Sequence, residues 1–389
     1  MTGLAVAFAV RPADALSAAA QDWSPFALVC GLLLIGLVAD DDGLFAAAGA
    51  RLAAAVRSGV LLFAGSVLLI SVVTATLNLD TSVAFLTPVL VHAARNRGYG
   101  EPALLYGCLL LSNAASLLLP GSNLTNLIVL GHLHLTGAQF AARMWLPWLC
   151  AVAVTAVVVA VGERSSLRSV ESRARQAPRV EFGLGLAAIV AATLVVIVIR
   201  EPALPVLLIG AGAAAWRLRT SRPSRRSPSE VGGPPGERPA DEGPAGERPL
   251  TPGRVWQLLG IPVLAGLFGA AVALGTAGRA WSGPAVLLSH LSGWATAAGA
   301  AATTVVVNNL PAASMLAART PAHPFELLIG LNLGPNLCVT GSLAWILWLR
   351  SAREAGSRPS LARASRLGVI AVPLSIVVAV AALAVTAPA

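Results

Sequence analysis

Long apolar stretches, separated by short polar or arginine-containing segments, occupy most of this 389-residue chain. Many of them approach or exceed the roughly 18–20 apolar residues that a helix needs to cross a bilayer. The pattern predicts helices at about residues 25–39, 59–77, 102–134, 144–162, 182–199, 202–216, 255–275, 326–350 and 368–386. The chain is therefore expected to be an all-α polytopic membrane protein.

One apolar stretch is interrupted at its centre by helix-breaking and polar residues, in the sequence "LLLPGSNLTNLIVL". Pro120 lacks an N–H and clashes with the preceding turn, and Gly121 frees the backbone. Ser122 or Asn123 can then cap a new half-helix, and Asn126 offers a further amide. Backbone groups freed in hydrocarbon cost several kcal/mol each unless they are paired, so such a break indicates a cavity or a site.

The order of elements recurs in the second half of the chain. A hairpin with a polar tip at Asn78–Ser82 precedes the first break, and a hairpin with Asn308 and Asn309 at its tip precedes a second break at Gly334–Pro335. The arginines place the first hairpin open to the cytoplasm and the second open to the outside. This order is typical of two inverted-topology repeats, each with a re-entrant hairpin and a discontinuous transmembrane helix, which bind solutes near the midplane.

Asp80, in the first hairpin tip, is interpreted as the only carboxylate deep in the membrane region. An acid at this depth is a functional-site hypothesis, and the structural alternative is a cap for the following helix. We predict that Asp80 carries the coupling proton or cation and that amides and hydroxyls bind the substrate. The predicted substrate-binding residues are Asn78, Ser122, Asn123, Asn126, Asn308, Asn309, Asn336, Thr340 and Ser342.

Composition supports a membrane protein, because 56% of the residues are hydrophobic and only 12% are charged. The net charge is +9, and all 27 basic residues are arginines. Because the arginines collect in loops beside apolar stretches, they indicate membrane orientation rather than nucleic-acid binding. The four cysteines show no CxxC spacing, and His132 and His134 fall in an outer loop without acidic partners, so no metal or cofactor is expected.

The spans contain no Ser–His pair, paired aspartates or HExxH motif, so an intramembrane enzyme is not favoured. A channel would need a continuous polar path, whereas the polar residues concentrate at two tips and two breaks. Uphill export that collapses with an uncoupler would distinguish a carrier from a channel. The sequence therefore favours a secondary carrier with alternating access.

The predicted organisation follows the arginine-rich loops. It comprises an extracytoplasmic N-terminal segment with a truncated first helix (1–24), a first transmembrane repeat (25–162), a basic cytoplasmic loop (163–181), a helix pair (182–216), a disordered cytoplasmic linker (217–254), the core of the second repeat (255–350), a second basic cytoplasmic loop (351–367) and a last transmembrane helix (368–389).

Four stretches together resemble the arsenite efflux permease family of the ion-transporter superfamily, which also contains citrate and dicarboxylate carriers. "LGPNLCVTGSLAWILWL" is close to that family's LGPxxxxGSLAxxLWL pattern, and "VVNNLPA" is similar to its NNxP hairpin tip. "SLLLPGSNLTNLIV" and "NLDTSVAFLTPV" look like its first break and first hairpin. The family has an Asn-Asp pair in that hairpin, whereas here Leu79 separates Asn78 from Asp80.

The resemblance implies export of arsenite or antimonite driven by the proton gradient across a bacterial cell membrane. A citrate, dicarboxylate or other anion carrier of the same superfamily, coupled to protons or sodium, is the alternative. The resemblance also implies additional N-terminal membrane sequence, of which Gly3–Val10 is expected to be the remainder. The expected partners are the solute, its coupling ion and the lipid bilayer, with a soluble ATPase subunit and a homodimer left open.

Overall fold

The computed structural model describes residues 2–131, 133, 135–168, 183–220, 251, 253, 255–256 and 260–386. Within these ranges the regular elements are α-helices and short 3₁₀ turns, as the sequence predicts. The helices of the N-terminal part are α1 Thr2–Val10, α2 Pro12–Asp41, α3 Leu44–Ala55, α4 Gly59–Thr76, α5 Leu79–Asn96, α6 Pro102–Ala115, α7 Leu124–Leu130, α8 Gly137–Gly162, α9 Leu184–Val198 and α10 Ala203–Thr220. Those of the C-terminal part are α11 Ile261–Ala280, α12 Gly283–His290, α13 Gly293–Val307, α14 Asn309–Leu316, α15 Pro324–Leu333, α16 Ala344–Glu354 and α17 Leu361–Val385.

Five helices of the described chain are long and apolar enough to cross a membrane: α2, α4, α8, α11 and α17. Their outer faces carry exposed apolar side chains, among them Leu68 on α4, Val157 on α8 and Val377 on α17. Apolar side chains at the surface of a helical bundle are what contact with lipid requires. The expectation of a polytopic membrane protein is confirmed.

Helix α2 is longer than the sequence pattern predicted. Its predicted span began at about residue 25, whereas the helix begins at Pro12 and ends at Asp41. Proline is tolerated in the first turn, where its missing N–H has no intrahelical partner. In the first half of α2, Asp22 is buried and bonds Ser314 of α14, and the helix packs along α11, so α2 is a central helix of the bundle.

Both discontinuous helices are present. In the first, α6 ends at Ala115 and α7 begins at Leu124, with a 3₁₀ turn at Pro120–Ser122 between them. In the second, α15 ends at Leu333 and α16 begins at Ala344, with a 3₁₀ turn at Gly334–Leu337 between them. We call residues 116–123 the first break and residues 334–343 the second break. Helix α6 ends before Pro120. Side chains of the second half pair with polar groups at this end of α6: Asn332 with the Ser116 hydroxyl and Asn336 with the carbonyl of Leu110.

The two halves of the chain pack on each other in a reciprocal way. The arm that leaves the first hairpin tip, α5, packs against α16, which follows the second break. The arm that leaves the second hairpin tip, α14, packs against α7, which follows the first break. The last helices of the two halves, α8 and α17, also pack together, and Thr155 and Ser375 hydrogen-bond between them at 3.2 Å.

Arginines of the predicted cytoplasmic loops make contacts with neighbouring segments, while the orientation stays a prediction. Arg97 donates to the carbonyl of Val56, and Arg363 pairs with Glu163 at 2.5 Å. Most of the predicted linker (217–254) and of the predicted loop 163–181 lies outside the described residues, as do His132 and His134. The four cysteines are free thiols, and no cluster of His, Cys, Asp or Glu in the described ranges is arranged to hold a metal ion.

Candidate functional site

The centre of the molecule contains a group of amides that joins the two breaks. The Asn332 side-chain oxygen, from the last turn of α15, accepts from Asn123 at 2.5 Å and from the Ser116 hydroxyl at 2.7 Å. The Asn332 amide nitrogen donates to the Asn126 side-chain oxygen at 2.8 Å. All four residues are at most 4% exposed. One asparagine of the second half therefore holds three polar groups of the first.

A second link lies one helical turn away. Asn113 of α6 donates its amide to the side-chain oxygen of Asn336 at 2.9 Å, and Asn336 donates to the carbonyl of Leu110 at 3.0 Å. We call the six residues Asn113, Ser116, Asn123, Asn126, Asn332 and Asn336 the amide network. In the described part of the chain, none of the hydrogen bonds of these six side chains involves a charged group.

The network also pairs the backbone groups that the breaks set free. Asn126 donates to the carbonyls of Ser116 at 2.7 Å and Leu119 at 3.2 Å. In the second break, the indole N–H of Trp345 donates to the carbonyl of Pro335 at 2.8 Å. Freed backbone groups are costly in an apolar interior, so these side chains allow two helices to stop inside the bundle.

The first tip carries a carboxylate, that of Asp80, in the first turn of α5. Asn78 caps α5, because its side-chain oxygen accepts the N–H of Thr81 at 2.7 Å. The Ser112 hydroxyl of α6 donates to the Ser82 hydroxyl at 3.2 Å and fixes the first turn of α5 against α6. Asp80 lies in that turn, partly buried, and its carboxylate has no hydrogen-bond or ion-pair partner among the described residues. The capping role left open for Asp80 belongs to Asn78.

The second tip is held to the second break by backbone contacts. Asn308 has φ 73° and ψ 151°, a conformation that residues with a side chain rarely adopt. Its amide donates to the carbonyl of Thr340 at 3.1 Å, and the N–H of Asn309 donates to the carbonyl of Gly341 at 2.8 Å. Strain of this kind persists where the surroundings enforce it, and it often occurs at functional sites.

Unpaired polar groups surround the breaks. Within the described residues, five buried side-chain groups at the tips and breaks, or within three residues of them, have no hydrogen-bond partner: the Asn78 amide nitrogen, the Thr81 hydroxyl, the Asn113 side-chain oxygen, the Thr125 hydroxyl and the Ser342 hydroxyl. Buried polar groups are normally paired, so unpaired ones mark places where a solute, an ion or water binds.

The predicted site residues are thus distributed over three places. Asn123, Asn126 and Asn336 belong to the amide network, and Ser122 bridges the first break to the carbonyl of Ala75 at 3.3 Å. Asn78 and Asp80 lie at the first tip. Asn308, Asn309, Thr340 and Ser342 lie at the second tip and break, where Thr340 is exposed and bonds the carbonyl of Val305 at 2.7 Å.

Three members of the network, Asn113, Ser116 and Asn332, were not among the predicted residues. A signal for them exists in the sequence. Asn332 and Asn336 are four residues apart, and Asn113 and Ser116 are three apart, so each pair lies on one face of an otherwise apolar helix. Amides and hydroxyls that recur at helical spacing within an apolar run identify the polar face of such a helix.

A second buried carboxylate corrects the interpretation of Asp80 as the only one. Asp22, on α2, is 1% exposed and accepts the Ser314 hydroxyl of α14 at 3.3 Å. The sequence pattern assigned Asp22 to an outer segment, because the predicted span began after it. The residue lies well inside α2, which begins at Pro12 and packs along α11.

Beside Asp22, Gln21 holds the C-terminal ends of two short helices. Its amide nitrogen donates to the carbonyl of Ile128 in α7 at 3.3 Å and to the carbonyl of Ala317, after α14, at 3.2 Å. Arg279 of α11 donates to the side-chain oxygen of Gln21. We call Gln21, Arg279 and these two carbonyls the α2 clamp.

A related contact holds the end of α16. Arg95, in the last turn of α5, pairs with Glu101 at 2.5 Å and donates to the carbonyl of Ala355 at 2.7 Å and the hydroxyl of Ser357 at 3.2 Å. We call Arg95, Glu101 and Ser357 the α5 clamp. Because the chain runs from the end of α5 through α6 and the first break to α7, the two clamps lie on opposite sides of the breaks.

The described chain has candidate membrane spans, two helices that are broken inside the bundle, and a polar centre between them. This combination is typical of a polytopic membrane transporter of the secondary type. A sequence model of the citrate transporter family matches residues 1–226, which is more than half of the chain. The chain therefore belongs to the citrate transporter family. This confirms the predicted superfamily and a carrier rather than an enzyme, while the arsenite branch stays a prediction.

Solved structures show the same fold. One is the YdaH transporter of Alcanivorax borkumensis, described as having an unusual topology, which is similar with a TM-score of 0.54. The likeness covers 96% of this chain and 87% of that chain at 12% sequence identity. At this identity the likeness establishes the fold alone.

Proposed function

We propose that this protein exports arsenite or antimonite across a bacterial plasma membrane by alternating access, driven by protons. The observation that carries the proposal is the chemistry of the unpaired groups at the tips and breaks. They are amide and hydroxyl groups together with one carboxylate, that of Asp80. Neutral donors and acceptors suit an uncharged hydroxide such as As(OH)₃, which both donates and accepts hydrogen bonds.

The proposed roles divide between the two kinds of group. The amides and hydroxyls of the tips and breaks hold the solute. Asp80 binds the coupling proton, because it is the acidic residue of α5, lies in the first turn at the tip and has no partner among the described residues that would compete for a proton. An acid inside a membrane bundle typically serves such a relay.

Alternating access by two inverted repeats is supported by the reciprocal packing. Each hairpin arm packs on the helix that follows the other half's break, so a shift of one half changes the surroundings of both breaks. The two clamps hold the far ends of these helices on opposite sides of the breaks. We propose that opening one clamp while the other stays closed exposes the centre to one side at a time.

The test is accumulation of arsenite in everted membrane vesicles from cells that express the chain. The vesicle interior is acidified, and arsenite and citrate are compared at the same concentration. We expect accumulation of arsenite that stops when an uncoupler is added and that is absent from vesicles without the protein. Accumulation of citrate without arsenite would overturn the substrate assignment and leave the carrier function standing.

A citrate or other carboxylate carrier is the second candidate, favoured by the family to which the chain belongs. Helix N-termini attract anions, and α5, α14 and α16 begin at the tips and at the second break. A carboxylate substrate would need a co-transported cation to balance its charge, because in the described residues no arginine bonds any side chain of the amide network. Uptake of citrate that requires sodium or protons would support this candidate. The ATPase subunit and the homodimer stay predictions.

A further inference from the structure

Asp22 lies outside the amide network and the two tips, yet it is the most completely buried aspartate of the described chain at 1% exposure. One carboxylate oxygen accepts the Ser314 hydroxyl at 3.3 Å. The other is buried and has no partner among the described residues. A buried carboxylate with an unpaired oxygen has a place for one proton, because a carboxylic acid carries its charge-neutralising hydrogen there.

Asp22 lies next to the α2 clamp, so a proton bound there would act on the clamp. Asp22 follows Gln21, whose amide bonds the carbonyls of Ile128 and Ala317 at the ends of α7 and α14. Ser314, which bonds Asp22, belongs to α14 itself. The charge on Asp22 therefore acts at the position where α2 holds both short helices.

The charged groups around Asp22 are few. From α11, Arg279 attracts it electrostatically, while bonding Gln21 and the carbonyl of Gly275 at 3.1 Å. After α14, Arg319 is exposed and donates to the carbonyl of Arg279 at 3.4 Å. On α2 itself, Asp14 lies two turns earlier and also attracts Arg279. The described parts of α1 and α7 carry no charged side chain.

We propose that Asp22 is a second proton-binding site of the transporter and that its protonation opens the α2 clamp. As a carboxylate, Asp22 keeps the Arg279 guanidinium against Gln21 and so keeps the ends of α7 and α14 on α2. When a proton from water on that side binds the unpaired oxygen, Arg279 loses its buried counter-charge and the clamp releases both helices. The proton returns to the same water when the clamp closes. This inference deepens the proposed alternating access and rests on it.

The experiment measures the clamp directly, without a substrate. Spin labels are placed at Leu16→Cys on α2, which is 61% exposed, and at Thr320→Cys after α14, in a chain whose four native cysteines are replaced. Distances between the labels are recorded in lipid nanodiscs at pH 8 and at pH 5. The parent chain is expected to shift toward longer distances at pH 5.

Asp22→Asn should show the long distances at both pH values, because an amide cannot hold Arg279 by charge. Asp14→Asn removes the half-buried acid that also attracts Arg279 but does not bond α14, so we expect the parent's pH shift in this variant, which assigns the effect to buried Asp22. The proposal is overturned if Asp22→Asn still shifts with pH as the parent does, or if the parent does not shift. If Asp22→Asn does not fold, Arg279→Gln replaces it, and a parent-like pH shift in that variant overturns the proposal equally.

These outcomes are separable from failure of the proposed function. A chain that moves neither arsenite nor citrate but shows the pH-dependent shift, lost in Asp22→Asn, would refute the transport assignment and leave the clamp intact. A chain that moves arsenite with an unchanged distance between the labels would refute the clamp alone.

Discussion

Both breaks free backbone polar groups inside the bundle, and the two breaks pair these groups in different ways. The first break is enclosed: Ser116, Asn123 and Asn126 are buried, and all three bond to Asn332 from the other half. At the second break, the carbonyl of Thr340 accepts from the Asn308 side chain and the carbonyl of Gly341 accepts from the Asn309 N–H, and Thr340 is exposed. Each member of the amide network bonds at least one other member, so moving one residue disturbs several hydrogen bonds. The second tip is held to the second break by the hydrogen bonds to the carbonyls of Thr340 and Gly341.

We propose that the two breaks have different tasks in the candidate site. Moving the first break would leave several buried polar groups unpaired at once, so we propose that it stays fixed. We propose that the second break, which has an exposed Thr340, is the part that moves. We therefore expect the first break to determine stability and the second to determine access of the solute.

The largest effect is expected for Asn332→Leu, a change of similar volume that removes the centre of the amide network. It leaves polar groups of Ser116, Asn123 and Asn126 without their partner, at about 1–3 kcal/mol for each buried group. We expect an apparent unfolding temperature in detergent far below that of the wild-type protein. The comparison variant is Asn336→Leu, which breaks fewer bonds between the halves and should lower it less; equal losses would contradict a central role for Asn332.

Next is Arg95→Gln, which removes the charge from the α5 clamp at the end of α16. Hydrogen bonds to charged groups contribute about 1.5–3 kcal/mol, so this clamp should open more readily. Labelling of an introduced cysteine at buried Ala355 by an impermeant maleimide from the cytoplasmic side should become faster. Arg350→Gln is the control, because its pair with Glu354 is exposed and spans one turn of a single helix; an equal acceleration there would contradict the clamp.

A smaller effect, confined to transport, is expected for Asp80→Asn at the first tip. The side chain keeps its size but cannot exchange a proton, so gradient-driven uptake into everted vesicles should fall at least about tenfold, equivalent to 1.4 kcal/mol. Apparent unfolding temperature should stay unchanged, because the carboxylate has no partner to lose. Asp14→Asn, a half-buried aspartate in the first turn of α2, serves as the control. Full transport with unchanged pH dependence would exclude Asp80 from coupling.

The smallest effect should distinguish two substitutions of Asn308. Its positive φ suits glycine, whereas alanine at this position suffers strain of roughly 1 kcal/mol. Both variants lose the bond to the Thr340 carbonyl, so the difference between them isolates the backbone. We expect Asn308→Gly to unfold at a higher temperature than Asn308→Ala. The reverse order would mean that the tip is not strained in the membrane.

Much of the fold follows from the one-dimensional pattern, because lipid leaves few ways to arrange an apolar chain. Helix breaks at residues 116–123 and 334–343 were predictable, since Pro, Gly and amides within an apolar run cannot continue a buried helix unaided. The start of α2 was not predictable in this way. Its polar first half, with Asp22 and Gln21, lies in a helix only because α11 and α14 bring Arg279 and Ser314 to it.

The candidate site shows the same division. Asn123, Asn126 and Asn336 are recognisable as amides beside helix breakers, but the sequence does not show that Asn332, before the second break, is the partner of Asn123 and Asn126. Which amides pair depends on contacts between residues about two hundred positions apart. Local sequence carries no information on such a pairing.

By itself, the sequence determined the class of the protein, the positions of its tips and breaks and the neutral, amide-rich chemistry between them. These depend on hydropathy and on backbone geometry, which act within a few residues. Only the tertiary structure decided that Asn332 closes the first break, that Asn308 is strained at the second tip, and that Asp22 is a buried acid beside the α2 clamp. The reason is physical: pairing of buried polar groups is settled by which helices meet, and the helices that meet here come from opposite halves of the chain.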